Sequence, residues 1–199
     1  MTYLFLISAF LSGVLTVVFI KNTQLRKQSR IKSAFIYELQ IEELLSSLIA
    51  KTSVDRALLC KSHNGGSEIV IGSQKMLSVI VEPDTSLHPH TRKEYTKFPM
   101  DSQYRQTMVR CMEDTGPFIY DEVELLPPSV LQRKTVTDEL KVVLHARVGS
   151  SETAFYYLFL ASKEDGATLI GDPKIHLIIE VTISQIRRIA ERAIRKKLL

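Results

Sequence analysis

The sequence predicts an α+β fold: one central antiparallel sheet with the N- and C-terminal helices packed on one face, behind a single N-terminal membrane-spanning helix. Three observations predict it. The run Thr2–Ile20 contains no charged residue. At each end of the remaining chain, a stretch poor in Gly and Pro carries apolar residues at three-four spacing, the period of an amphipathic helix. Between these stretches lie short apolar runs bounded by Gly, Pro, Asn and Ser, the pattern of paired strands.

At 1.5 Å per residue, Thr2–Ile20 gives about 28 Å of helix, close to the hydrocarbon thickness of a bilayer. Lys21, Arg26, Lys27, Arg30 and Lys32 follow it with no acid among them. Basic residues on that side predict an N-terminus outside and a following domain in the cytoplasm, at an inner or plasma membrane. A cleaved signal peptide would carry its basic residues ahead of the apolar run, so an uncleaved anchor is expected. Within the run, Ala9 and Gly13 stand four apart beside Ser12 and Thr16, a spacing that permits close helix approach but is also frequent in membrane helices at large. The expected organisation is an anchor over 1–20, a basic juxtamembrane and amphipathic helix over 21–50, and one globular domain over 51–199.

Net charge is +4. The basic residues concentrate after the anchor and in the last helix, at Arg187, Arg188, Arg192, Arg195, Lys196 and Lys197. These basic helix ends predict contact with anionic lipid. Nucleic-acid binding is not expected, because no aromatic interleaving or nucleic-acid fold accompanies them. Cys60 and Cys111 suit free buried thiols in a reducing compartment better than a disulfide scaffold.

The first helix of the domain is expected from about Gln24 to Lys51, with Ile31, Ala34, Ile41, Leu45 and Leu48 as its seam. Phe35, Leu39, Leu44 and Ile49 broaden that stripe. The C-terminal end is therefore expected on its own domain, and the part nearer the membrane against a second copy. Val54–Cys60 reads as a strand ending in the turn Lys61–Gly66, with a return over Ile69–Ile71, and Met76–Val81 as another strand before Pro83. His88 and His90 fall in a polar loop ahead of a helix over Ser102–Asp114. Phe118–Val123 is a short strand, Pro127–Pro128 opens a small helical segment towards Leu140, and two strands follow at Val142–Val148 and Ala154–Ala161. A long helix from about Pro173 to Leu198 closes the chain.

This element order, the Asp55-Arg-Ala and His63-Asn-Gly-Gly66 patterns, and the closing strand pair running into a helix resemble a GAF domain, a small-ligand-binding relative of the PAS fold. The resemblance spans roughly Ile31 to Leu198. It implies terminal helices on one sheet face and a ligand chamber under inserted segments on the other. No cyclic-nucleotide or chromophore-attachment signature accompanies it, so it names no cofactor.

Candidate site residues come from strand alternation. In Val142–Val148, Val142, Leu144, Ala146 and Val148 point one way, and Val143, His145 and Arg147 the other. If the apolar set faces the terminal helices, His145 and Arg147 face the chamber, where imidazole and guanidinium suit an anionic or carbonyl-bearing ligand. The alternative is that both are solvated or paired with Asp121 or Glu122. His63 and Asn64 are a second pair, either aimed into a pocket mouth or serving turn geometry alone.

Cys60, His63, His88, His90, Cys111 and His145 lack ligand-motif spacing, so no metal site is expected. Phosphate-binding loops, nucleophile elbows and paired acidic motifs are also missing from the sequence. The expected function is a membrane-anchored cytoplasmic sensory or regulatory domain that binds a small ligand or a protein partner and passes its signal through self-association, the anchor or a partner. A tethered interaction scaffold is the alternative, and a thiol redox enzyme using Cys60 and Cys111 is third.

Overall fold

A computed structural model describes residues 2–64, 75–85 and 95–198, with side chains described for 16, 18–64, 75–85, 95–130 and 132–198. Helix α1 spans Thr2–Lys51 without interruption. Strands β1 (Arg56–His63), β2 (Met76–Val81) and β3 (Phe98–Pro99) precede helix α2 (Ser102–Glu113) and strand β4 (Ile119–Glu122). A 3-10 turn at Val123–Leu125, helix α3 (Val130–Thr137), strands β5 (Val142–Ser150) and β6 (Ala154–Ser162), helix α4 (Gly166–Gly171) and helix α5 (Pro173–Arg195) complete the order.

All six strands form one sheet in the order β3-β2-β1-β6-β5-β4, and every neighbouring pair is antiparallel. Strand β6 lies at its centre and is buried along its whole length. This is why its sequence, AFYYLFLAS, reads as a continuous apolar run rather than an alternating one. Alternation still sorts its side chains. Ala154, Tyr156, Leu158 and Leu160 join Ile41, Leu45 and Leu48 of α1 and Ile179, Ile183 and Ile186 of α5. Phe155, Tyr157, Phe159 and Ala161 join Tyr104, Met108 and Cys111 of α2 on the opposite face.

The terminal helices therefore share one face and the inserted segments cover the other, as the sequence predicts. Asp101 fixes that cover: its Oδ1 accepts from Tyr104 N at 2.8 Å and its Oδ2 from Val130 N at 2.6 Å, so one carboxylate satisfies the first turns of both α2 and α3.

Several expectations need correction. Strand β1 does not end at Cys60; Lys61, Ser62 and His63 continue it, paired with β2 and β6 at once. His63 is thus a strand residue and not part of a turn. Sequence reading also missed β3 and α4. The seam of α1 divides where the sequence reading divides it: Ile41 and Leu45, towards the C-terminal end, are 0% exposed on the domain, while Ile31, nearer the N-terminus, is 49% exposed.

The return over Ile69–Ile71 and the residues His88 and His90 lie outside the described residues, as do the side chains of Thr2 to Leu15 and of Val17. Among the described residues, no helix is long and apolar enough to cross a membrane. The expected anchor falls almost wholly outside the side chains described.

Candidate functional site

On the face away from α1 and α5, where the sequence predicts a ligand chamber, four strands and one helix build a closely packed aromatic layer. Antiparallel register aligns Leu58 of β1, Phe159 of β6, His145 of β5 and Ile119 of β4 in a single row. The next row holds Cys60, Tyr157 and Arg147. Helix α2 lays Tyr104 over both rows, with its ring centroid 5.9 Å from that of His145.

His145 is 0% exposed, and the Phe159 and Tyr157 rings stand 5.4 and 6.1 Å from it. Among the described residues neither of its ring nitrogens has a hydrogen-bond partner. Burial first, and then the Arg110 charge, lower its pKa to about 3, so the imidazole is neutral at physiological pH. A buried polar side chain without a partner costs about 1–3 kcal/mol. Beside it, the Tyr104 and Tyr157 hydroxyls lie 2.8 Å apart, and burial raises both phenols well above their usual range.

A cavity of about 20 Å3 opens between this aromatic layer and β1, β2 and α3, with Cys60, Tyr104 and Phe159 among its walls. It has room for about one water. At its edge Arg56, 2% exposed, donates from Nη1 to Asp138 Oδ2 at 2.8 Å, while Lys134 Nζ lies 3.5 Å from the other oxygen of Asp138. One carboxylate thus faces two cations at the wall of an apolar cavity.

The residues singled out from sequence meet different fates. His145 and Arg147 do leave the same face of β5, but only His145 is enclosed in the aromatic layer. Arg147 is exposed, with Nη1 donating to Met112 O at 3.2 Å, and the β5–β6 register shifts immediately after it. The enclosed His145–Arg147 anion site expected from sequence is therefore not formed. Arg147 sits at the rim, where α2 ends.

His63 lies at the far end of β1, 8% exposed, with Nε2 and the Ser78 hydroxyl 2.9 Å apart. Burial and the Lys61 and Lys97 charges lower its pKa. Asn64, half-buried, follows it in a single bridge position. Neither residue touches His145 in any described hydrogen bond or ring contact. Asp121, offered as a partner for Arg147, instead accepts from Arg110 at 3.0 Å.

Sequence reading missed Arg56, Tyr104, Lys134, Asp138 and Tyr157. The alternation applied to β5 would have found part of this set in β1 and β6, since Arg56, Leu58 and Cys60 alternate with Ala57 and Leu59.

Neither thiol lies in an accessible cleft. Cys60 and Cys111 are both buried and free. Burial raises Cys60 far above the ordinary thiol range and raises Cys111 to about 12. Both shifts disfavour the thiolate that disulfide or sulfoxide chemistry uses. Among the described residues, no group of three or more His, Cys, Asp or Glu side chains is placed to hold a metal ion.

No family model and no curated protein matches the chain. Among solved structures it is similar to the GAF domain region of a Geobacter sulfurreducens PCA protein described as a membrane protein. The likeness covers 81% of this chain and 97% of that chain at 8% identity, with a TM-score of 0.50. At that identity it is a likeness of fold alone. Together with the six-stranded antiparallel sheet and its helical covers, it makes this chain a GAF-like α+β fold.

Proposed function

We propose that the chain is a membrane-anchored sensory or regulatory domain, held on the cytoplasmic face by Thr2–Ile20, whose aromatic layer around His145, beside the small cavity walled by Tyr104 and Phe159, opens to take a small ligand. The observation that carries this reading is the imidazole itself: fully buried, ringed by Tyr104, Tyr157 and Phe159, and without a hydrogen-bond partner among the described residues. A ligand with one donor or acceptor would satisfy it. Because His145 is neutral and Arg147 lies outside, the ligand class shifts from the anion expected at first to a compact, uncharged, planar molecule carrying a carbonyl, amide or hydroxyl group. It enters by displacing Tyr104, the side chain that closes the chamber from the first turn of α2.

A specific observation favours the scaffold reading as well. The cavity measures only about 20 Å3, while Ile31, Phe35, Ile36 and Leu39 of α1 are 45–62% exposed. Such a stripe on a helix suits a second copy of the chain.

Native mass spectrometry of the detergent-solubilised full chain separates the two readings. The sensor reading expects a small molecule retained by the wild type and lost from His145→Leu. A dimer with no retained molecule, and with unchanged spectra in His145→Leu, supports the scaffold and overturns the sensor.

A further inference from the structure

The two basic segments that stand at opposite ends of the domain sequence meet in space. Helix α5 runs back along α1, so that Lys196 Nζ lies 3.0 Å from the Tyr37 hydroxyl. Arg30 Nη2 donates to Lys197 O at 3.0 Å across 167 residues of sequence. The end of α5 makes this possible. Lys197 takes a left-handed conformation, φ 54°, with Lys197 N bonded to Ile194 O and Leu198 N to Ala193 O. These are the two bonds of a Schellman turn. The turn folds the chain end onto α1 and leaves a groove of about 570 Å3, in which Arg26, Lys27, Arg30 and Lys197 surround Ala34 and Leu198.

All four cations are exposed, and none of them takes part in an ion pair among the described residues. From Lys21 the first acid along α1 is Glu38. Basic residues in the last turn of α5 offset its C-terminal dipole. Arg26, Lys27 and Arg30 lie in the interior of a 50-residue helix, where no such partial charge exists. Ahead of them, on the N-terminal side of Lys21, Val18, Phe19 and Ile20 are each at least half exposed, at 58%, 73% and 50%. An exposed apolar ring followed by unpaired cations around an apolar-floored groove is the arrangement of a bilayer interface, with acyl chain on one side and phosphate on the other.

We propose that this groove binds the headgroup of an anionic phospholipid, with its acyl chains along the Val18–Ile20 side of α1. The inference rests on the anchored reading above and adds a lipid selectivity to it. If α1 leaves the hydrocarbon at Ile20, Arg26 lies about 9 Å and Arg30 about 15 Å further along the axis. That is within about one Debye length of the headgroup layer, whose thickness is roughly 5–8 Å.

The test uses the full chain in micelles containing equal amounts of phosphatidylcholine and phosphatidylglycerol, with retained lipid read by native mass spectrometry. The wild type retains phosphatidylglycerol preferentially. K197G lowers that preference about fivefold, the effect of one cation near an anionic surface. Its fold is secure, because Gly is the favoured residue at the left-handed position. Joint R26Q, K27Q and R30Q substitution removes the preference, and joint R26K and R30K substitution keeps it.

Retention of both lipids in equal proportion by the wild type, or an unchanged preference in K197G and the triple variant, overturns the proposal. So does displacement of the lipid by inorganic phosphate at equal concentration, which would assign the groove to a soluble phosphate, or by an oligonucleotide. Carbonate extraction of cell membranes keeps the anchor separate: release of the protein sinks the anchored reading, whereas retention without lipid preference sinks the groove alone.

Discussion

The two faces of the sheet are built to different specifications. Against α1 and α5, the buried side chains of the core are aliphatic apart from Tyr156. Such a core needs only volume and shape, which Leu, Ile, Val and Ala supply without hydrogen bonds. Against α2 and α3 the core mixes rings and thiols from Tyr95, Tyr104, Phe155, Tyr157, Phe159, Cys60 and Cys111. It also encloses His145 and the Arg56–Asp138 pair at 0%, 2% and 6% exposure. Every polar group there must find a partner or cost stability. The first face buries apolar volume alone; the second buries apolar volume together with polar groups that need partners.

The largest effect should come from separating charges on the second face. Asp138→Ala leaves Arg56 buried without its 2.8 Å partner and is expected to cost about 3–5 kcal/mol. Leu160→Ala, on the aliphatic face, is expected to cost about 2–5 kcal/mol through lost burial and the cavity left behind. Denaturant melts of the full chain give both numbers. The faces part company in compensation: Arg56→Met with Asp138→Leu should restore wild-type stability or exceed it, because desolvation of both ions disappears together. A double variant as unstable as Asp138→Ala would show that the pair holds the fold together.

His145 should make the second face sensitive to acid. Its pKa is about 3 in the fold and about 6.5 unfolded. Between those values the unfolded chain binds a proton that the native chain does not, so stability falls as pH falls, by up to about 1.36 kcal/mol per unit. Lowered His63 acts in the same direction. His145→Leu should flatten the profile below about pH 6.5 and cost nothing at pH 7, since an unpartnered imidazole leaves the core. Equal acid sensitivity in wild type and variant would place the titration elsewhere.

A smaller effect tests how the second face is roofed. Asp101→Ala releases first-turn donors of α2 and α3 together and should cost about 2 kcal/mol, while Ser129→Ala, which frees Gln132 N alone, should cost about 1 kcal/mol. Hydrogen exchange reads the outcome directly. Opening confined to α2, with α3 still protected, would mean that the 2.6 Å bond to Val130 N contributes little.

The aliphatic face was legible in the sequence because volume writes a periodic signal. Val142, Leu144, Ala146 and Val148 all reach the predicted core, and Ile41, Leu45 and Leu48 sit where helical spacing puts them. The polar face was legible only as far as His145. Arg56 and Asp138 stand 82 residues apart, and no spacing rule joins them. Lys61-Ser-His63 looks like the start of a turn because it is polar, yet pairing with strands on both sides overrides that local preference. Alternation puts Arg147 on the same face as His145, as the sequence reading expects, but knows nothing of where α2 stops, and the end of that helix leaves Arg147 at the rim.

Arg147→Ala should therefore have the smallest effect, and it separates rim from chamber most cleanly. Its guanidinium is exposed and gives one described hydrogen bond, 3.2 Å to Met112 O, at the last turn of a helix whose carbonyls water can reach. Arg187 Nε bonds the backbone oxygen of Arg147 at 3.1 Å, a contact that the substitution leaves in place. Surface changes of this kind stay within about 0.5 kcal/mol. His145 and Arg147 are two residues apart on one strand and one face. Arg147→Ala should melt like the wild type and keep its pH profile unchanged, whereas His145→Leu alters that profile. If Arg147→Ala proves the more disruptive of the two, the rim supports the chamber and α2 is held by its last turn rather than by Asp101.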